Sequence, residues 1–205
     1  KEKSRTKIRT RLYTDSDLAF FEYKQKENGI TKKFRYQFPS AEHGTMTKWK
    51  IRFFEWVWQS MYEWKKVPKL SPSIKTTYNR ITLVSKTGSE RLTVDFNIKT
   101  LNLRDKKAKQ VHLKNLVIIE SKTLETKCKS LEVMKQHLIK PAWSCSKYSL
   151  GVVYAGLAKK YDTFSQTMKK IKEIRLDTLK NRFRRTNLKV LGKARTKERA
   201  KILLK

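Results

Sequence analysis

Lys7-Ile8-Arg9-Thr10-Arg11-Leu12-Tyr13 sets three cations and a tyrosine on one parity and Ile8, Thr10 and Leu12 on the other. A period of two marks a β-strand, because successive side chains leave opposite faces. The next stretch repeats it. Within Phe20–Lys26, Glu22, Lys24 and Lys26 share one side and Phe21 and Tyr23 the other. Asn28-Gly29 is a hairpin signal, and in Thr31–Phe38 the cations Lys33 and Arg35 alternate with Phe34, Tyr36 and Phe38. The start of the chain therefore reads as three successive strands, each with a cationic face.

Beyond this region the period changes. Over 45–66, Trp49, Phe53 and Trp56, with Phe54, Val57, Trp58 and Met61, recur at three- and four-residue spacing, which predicts a helix ended by Pro68 and Pro72. Strands resume at Thr77–Val84, with Tyr78, Arg80 and Thr82 together. After the Thr87-Gly88-Ser89 turn, Arg91, Thr93, Asp95 and Asn97 face away from Leu92, Val94, Phe96 and Ile98. Leu103–Gln110 is polar, Leu116–Lys122 is a strongly apolar strand, and Ser130–Lys140 reads as a helix with Ser130 as N-cap and Pro141 beyond its end. A short apolar segment follows Ser146-Lys147-Tyr148, and another helix starts near Asp162.

Charge is the compositional outlier: 50 Lys+Arg against 18 Asp+Glu, a net +32. Self-repulsion of that size opposes compaction unless anions screen it, so a phosphate-rich partner is expected. Cys128 and Cys145 form no CxxC pair, and His43, His112 and His137 are far apart, which argues against zinc. Few cysteines suit a reducing cytoplasm. The longest apolar run, Leu150–Ala158, is far short of the roughly 20 residues that span a bilayer. The tail 169–205 carries 15 Lys/Arg against 3 Asp/Glu, a net of 15 − 3 = +12, in an amphipathic helical pattern. It could lie on the cytoplasmic face of an anionic membrane, on RNA, or on the rest of the protein.

One cationic strand face is ordinarily a solvated face. Several such strands in one sheet, with little acid between them, would repel one another. A closed or strongly curled sheet with its charges inward is reasonable if an anion fills the interior, with the apolar parity outward under helices. Glu120, in Leu116-Val-Ile-Ile-Glu120, then needs a cation: Mg²⁺ or Mn²⁺, or a neighbouring Lys or Arg. Glu22 and Asp95 are weaker metal candidates. No glycine-rich phosphate loop and no Ser/His/Asp or Cys/His arrangement is present.

Lys7-Ile-Arg-Thr-Arg-Leu-Tyr13, Phe21-Glu-Tyr-Lys24, Lys33-Phe-Arg35, Tyr78-Asn-Arg80, Glu90-Arg-Leu-Thr-Val-Asp95, Val117-Ile-Ile-Glu-Ser-Lys122 and Ser146-Lys-Tyr148 occur in an order that resembles the VTC domain. This is the polyphosphate polymerase domain of vacuolar transporter chaperones and their bacterial relatives, among the triphosphate tunnel metalloenzymes. The resemblance covers roughly residues 5–175. It implies an α+β fold: an antiparallel β-tunnel flanked by helices over 1–175, followed by a basic helical tail over 176–205. It implies that Arg9, Arg11, Lys24, Lys33, Arg80, Arg91 and Lys147 contact phosphates and that Tyr78, Ser146, Arg35 and Lys122 assist. Glu120 would hold Mn²⁺ or Mg²⁺. The implied reaction moves the terminal phosphate of ATP or another nucleoside triphosphate onto a polyphosphate chain, by positioning and charge neutralisation.

Two departures qualify the resemblance. Only eight residues precede Arg9, where the family's opening strands would stand, so those strands lie outside the sequence given or the tunnel is incomplete. Ser144 stands where some eukaryotic members have a lysine. The alternatives are a triphosphatase of the same superfamily and a non-catalytic module that binds polyphosphate or nucleic acid. Against nucleic acid stands the apparent segregation of aromatics from the cationic parity, which leaves bases little to stack on beside the phosphate contacts.

Overall fold

The structure, a computed structural model, describes residues 4–63, 65–124, 128–139, 142, 145–158 and 162–174. The expected tail over 176–205, with its boundary at 175/176, lies outside the described residues, as do Lys140, Pro141 and Ser144. The fold is α+β, the class the resemblance implies, with strands in two antiparallel sheets. The chain divides into two compact units, Lys1–Pro72 and Ser73–Lys205.

The first unit is built on β1 (Ser4–Tyr13), β2 (Leu18–Glu27) and β3 (Ile30–Phe38), in that order across the sheet. Asn28 and Gly29 both take positive φ, +46° and +84°, as a tight right-twisting hairpin turn requires. The apolar parity of the sheet is covered by α1 (Lys48–Met61): Ala19, Phe21, Tyr23 and Phe38 pack with Phe54 and Val57. Lys50, fully buried in this helix, donates to the carbonyls of Glu42 and Thr45 at 2.7 and 2.8 Å and stands 3.7 Å from the Phe38 ring centre. It ties the 40–45 turn to α1.

Helix α1 stops at Met61, well before Pro68, so the proline is not what ends it. Tyr62 leaves helical geometry at φ −138°, and its hydroxyl contacts Gln25 Nε2 at 2.9 Å and Thr6 Oγ1 at 3.3 Å. Anchorage to the sheet therefore coincides with the break in the helical path.

The second unit contains β4 (Ile74–Val84), β5 (Glu90–Asn102), β6 (Val111–His112) and β7 (Ile118–Thr123). Strand β5 pairs with all three others, antiparallel throughout. The β4–β5 register shifts between Thr77 and Asn79: Asn97 and Ile98 of β5 oppose Tyr78 alone, a bulge in β5 at which Asn97 takes φ +53°. The buried parity of β5 consequently changes from Thr93 and Asp95 to Ile98 and Thr100. This corrects the simple alternation expected for Arg91–Ile98, since Ile98 is inside with Asp95 rather than opposite it.

Three helices follow. α2 (Lys129–Gln136) is shorter than the Ser130–Lys140 expected, and Ser130 is not its N-cap. The carboxylate of Glu90 caps it instead, accepting from the amides of Lys129 at 2.6 Å and Ser130 at 3.1 Å. α3 (Lys147–Tyr154) begins in the Ser146-Lys147 segment, and residues 162–164 form a 3₁₀ turn that leads into α4 over 165–174. The core of this unit combines Ile98, Leu113, Leu116, Ile118, Leu150, Met168 and Ile171. Helix α3 comes so close to the sheet at Gly151 that an added Cβ would lie 2.8 Å from Ile74 Cδ1 and 2.9 Å from Thr100 Oγ1.

Candidate functional site

In the first unit, strand register places Arg5, Lys7, Arg9 and Arg11 of β1 on one face with Lys24 and Lys26 of β2 and Lys33 and Arg35 of β3. Glu22 is the one carboxylate on that face among the described residues. It is buried, 2 % exposed, at the centre of a cation cluster. Arg9 meets Oε2 at 2.6 Å, Arg35 meets Oε1 at 2.8 Å, and Arg11 and Lys33 each stand at 3.8 Å. Burial opposes ionisation of Glu22, but the charges of Arg9 and Arg11 and the hydrogen bonds from Arg9 and Arg35 outweigh it, holding the pKa low. One ionised carboxylate thus fixes the positions of guanidinium groups whose positive charge remains in excess.

The second unit repeats the device. Arg80, Arg91, Asp95, Glu120 and Lys122 share a face of the sheet through the β4–β5 and β5–β7 registers. Asp95 is fully buried and accepts from Arg80 at 2.6 and 2.9 Å, while Lys147 in the first turn of α3 approaches Oδ2 to 2.5 Å. Burial again opposes ionisation, and the hydrogen bonds from Arg80 and Lys147 more than compensate. Arg80 and Lys147 both stand 5.3 Å from the Tyr78 ring centre, within cation–π range. Ser146 caps α3, its Oγ accepting from the Ser149 amide at 3.4 Å, which leaves the hydroxyl proton as a donor.

Two expectations change here. Glu22 and Asp95 were weaker metal candidates, but their oxygens are occupied by Arg and Lys donors, and they act as organisers of cations. Aromatics are not confined to the apolar parity. Phe20 lies 4.4 Å under the Arg35 guanidinium, Tyr13 accepts from Arg11 at 2.6 Å, and Tyr78 stands beside Arg80. The objection to base stacking therefore does not hold at these rings, although each already carries a cation.

Glu120 is 47 % exposed and pairs with Lys122 at 3.3 Å. Among the described residues no group of three or more His, Cys, Asp or Glu is arranged to hold a metal. A single exposed carboxylate suits an ion that takes most of its ligands from phosphate oxygens and water, as Mg²⁺ and Mn²⁺ commonly do.

The resemblance implies one site for all of the expected site residues. The structure sets Arg9, Arg11, Lys24, Lys33 and Arg35 on one face of the first sheet, and Arg80, Arg91, Glu120 and Lys122 on one face of the second with Tyr78 and Lys147 beside Arg80. The organising roles of Glu22 and Asp95 are not visible in the sequence, and the sequence reading gives Arg5, Lys7 and Lys26 no phosphate role. The signal was available in the alternation: Lys7 has the parity of Arg9, and Lys26 that of Lys24.

Among the described residues no helix is long and apolar enough to cross a membrane. A family model described as VTC domain matches residues 1–155. No curated protein matches the chain, and no solved structure does.

Proposed function

The chain belongs to the VTC domain family, and on that premise we propose that it is a polyphosphate polymerase. In this reading the terminal phosphate of a nucleoside triphosphate passes to the end of a polyphosphate chain. The observation that carries it is the pair of cation clusters, each built around one buried carboxylate. Donors held in place before substrate arrives need little reorganisation as charge moves between phosphates, which is where phosphoryl transfer gains most of its rate.

Arg9, Arg11, Lys24, Lys33 and Arg35 on the first sheet would contact phosphates, and so would Arg80, Arg91 and Lys122 on the second sheet with Lys147 of α3. Tyr78 and Ser146 would add hydroxyl donors. A terminal phosphate oxygen of the chain attacks the γ-phosphorus, the bond to the bridging oxygen breaks, and the nucleoside diphosphate leaves with that electron pair. Mn²⁺ or Mg²⁺, held by Glu120 together with phosphate oxygens, would neutralise part of the charge. With water in place of the chain end, the same cations would give a triphosphatase.

A second reading is a non-catalytic module that binds polyphosphate or nucleic acid. It is favoured by the engagement of Glu22 and Asp95 with cations, which leaves Glu120 as the one carboxylate proposed for metal. Incubation with ATP and Mn²⁺ separates the readings. Acid-labile, dye-stainable polymer supports the polymerase, inorganic phosphate without polymer supports the triphosphatase, and polyphosphate binding without turnover supports the module. Glu120→Gln should abolish polymer formation with the fold intact. Undiminished synthesis by that variant would overturn the metal assignment.

A further inference from the structure

The cationic face of the first sheet has an internal order that the Glu22 cluster does not explain. Cross-strand register divides it into rows. Arg9, Glu22 and Arg35 form one row. The adjacent row is Lys7, Lys24 and Lys33, and beyond it Arg5 stands opposite Lys26. Directly opposed residues on one face lie close enough for like charges to destabilise the sheet.

In the arginine row a carboxylate sits between the cations. In the lysine row nothing does: among the described residues neither Lys7 nor Lys24 has a carboxylate partner, and Lys33 reaches Glu22 only at 3.8 Å. Lys7 is half-buried; burial, followed by the charges of Arg5, Lys24 and Arg9, pulls its pKa down. A bound polyanion would relieve this arrangement, and no residue of the face does.

Successive rows on one face are two residues apart along each strand, about 6.6 Å, so the three rows span about 13 Å. A triphosphate can bridge neighbouring rows, whereas engaging all three calls for a longer chain. Building on the polyphosphate reading above, we propose that Lys7, Lys24 and Lys33, continued by Arg5 and Lys26, form a ladder for the body of an extended polyphosphate. Lys7 and Lys26 then set the preference for long chains over short ones.

The experiment measures affinities for tripolyphosphate and for long-chain polyphosphate across a salt series. The wild type should favour the long chain. Lys7→Gln and Lys26→Gln should each shrink that preference about fivefold and lower the salt slope for the long chain by about 0.7, the value for one lost contact to a single-stranded polyanion. Lys7→Arg should restore both. Lys32→Gln, on the opposite parity of β3, removes the same charge and should change the ratio little.

An unchanged ratio in the Lys7 and Lys26 variants overturns the ladder, and so does an equal loss in Lys32→Gln, which would mean that net charge alone is read. A wild type that binds neither phosphate polymer overturns the polyphosphate reading itself, a result distinguishable from failure of the ladder.

Discussion

Lys147 Nζ lies 2.5 Å from Asp95 Oδ2, on a carboxylate already held by Arg80 at 2.6 and 2.9 Å. The acid is fully buried, and the two cations are 19 % and 27 % exposed. Asp95→Asn keeps the shape and removes the charge, leaving two poorly hydrated cations together. Breaking such a group from one side costs about 3–5 kcal/mol. Urea denaturation should show a lower midpoint with little change in its slope. A midpoint equal to that of the wild type would mean that the cluster contributes nothing to stability.

The same carboxylates give stability a pH dependence. Glu22 and Asp95 have pKa values below their ordinary 4.5 and 3.8, so in that range the folded state binds fewer protons than the unfolded one. The stabilisation is therefore present above the ordinary values and is lost as pH falls through the depressed ones. Urea midpoints should drop steeply on acidification below about pH 4.5, and in Glu22→Gln/Asp95→Asn that part of the drop should be smaller. An identical acid profile in the double variant would show that other groups set it.

Periodicity made much of this fold legible. The parity of Lys7–Tyr13 already selected Arg9 and Arg11 for one face, and the Asn28-Gly29 turn fixed the next strand opposite. What could not be read locally depends on distant partners. Glu90 caps a helix that begins 39 residues later, so Ser130 looked like the better N-cap. Asn97 exchanges the faces of β5 because β5 carries an extra residue there, Asn97 and Ile98 standing against Tyr78 alone. In the candidate site, the sign of the charges was legible but the pairing of Asp95 with Arg80 and Lys147 was not, since it needs three segments brought together.

Gly151 allows α3 to lie against β4 and β5. In an isolated helix Gly→Ala would gain up to about 1 kcal/mol. Here the new methyl would meet Thr100 Oγ1 at 2.9 Å, a buried β-branched side chain with little rotamer freedom, as well as Ile74 at 2.8 Å. Overpacking should prevail, with a net loss of about 1–3 kcal/mol. Because Lys147 is one helical turn away, polyphosphate affinity should fall as well. Thr100→Ala in the Gly151→Ala background removes the obstacle and should recover much of both; failure to recover either would place the cause elsewhere.

Glu90 provides a test that leaves the cation clusters untouched. Its two oxygens take the first amides of α2, and the hydrogen bond from the Ser130 amide is the main reason its pKa is lowered. Glu90→Gln weakens these charge-assisted bonds while keeping an acceptor, so the start of α2 should fray while β5 stays paired with β7. Hydrogen exchange should quicken at Lys129 and Ser130 and remain unchanged in the β5–β7 ladder. Acidification below the ordinary 4.5 should have the same local effect in the wild type and almost none in the variant. If exchange at Lys129 and Ser130 stays slow in Glu90→Gln, the helix start is held instead by the contacts among Ser121, Cys128 and Ser130, whose closest pair, the Ser121 and Ser130 hydroxyls, is 2.7 Å apart.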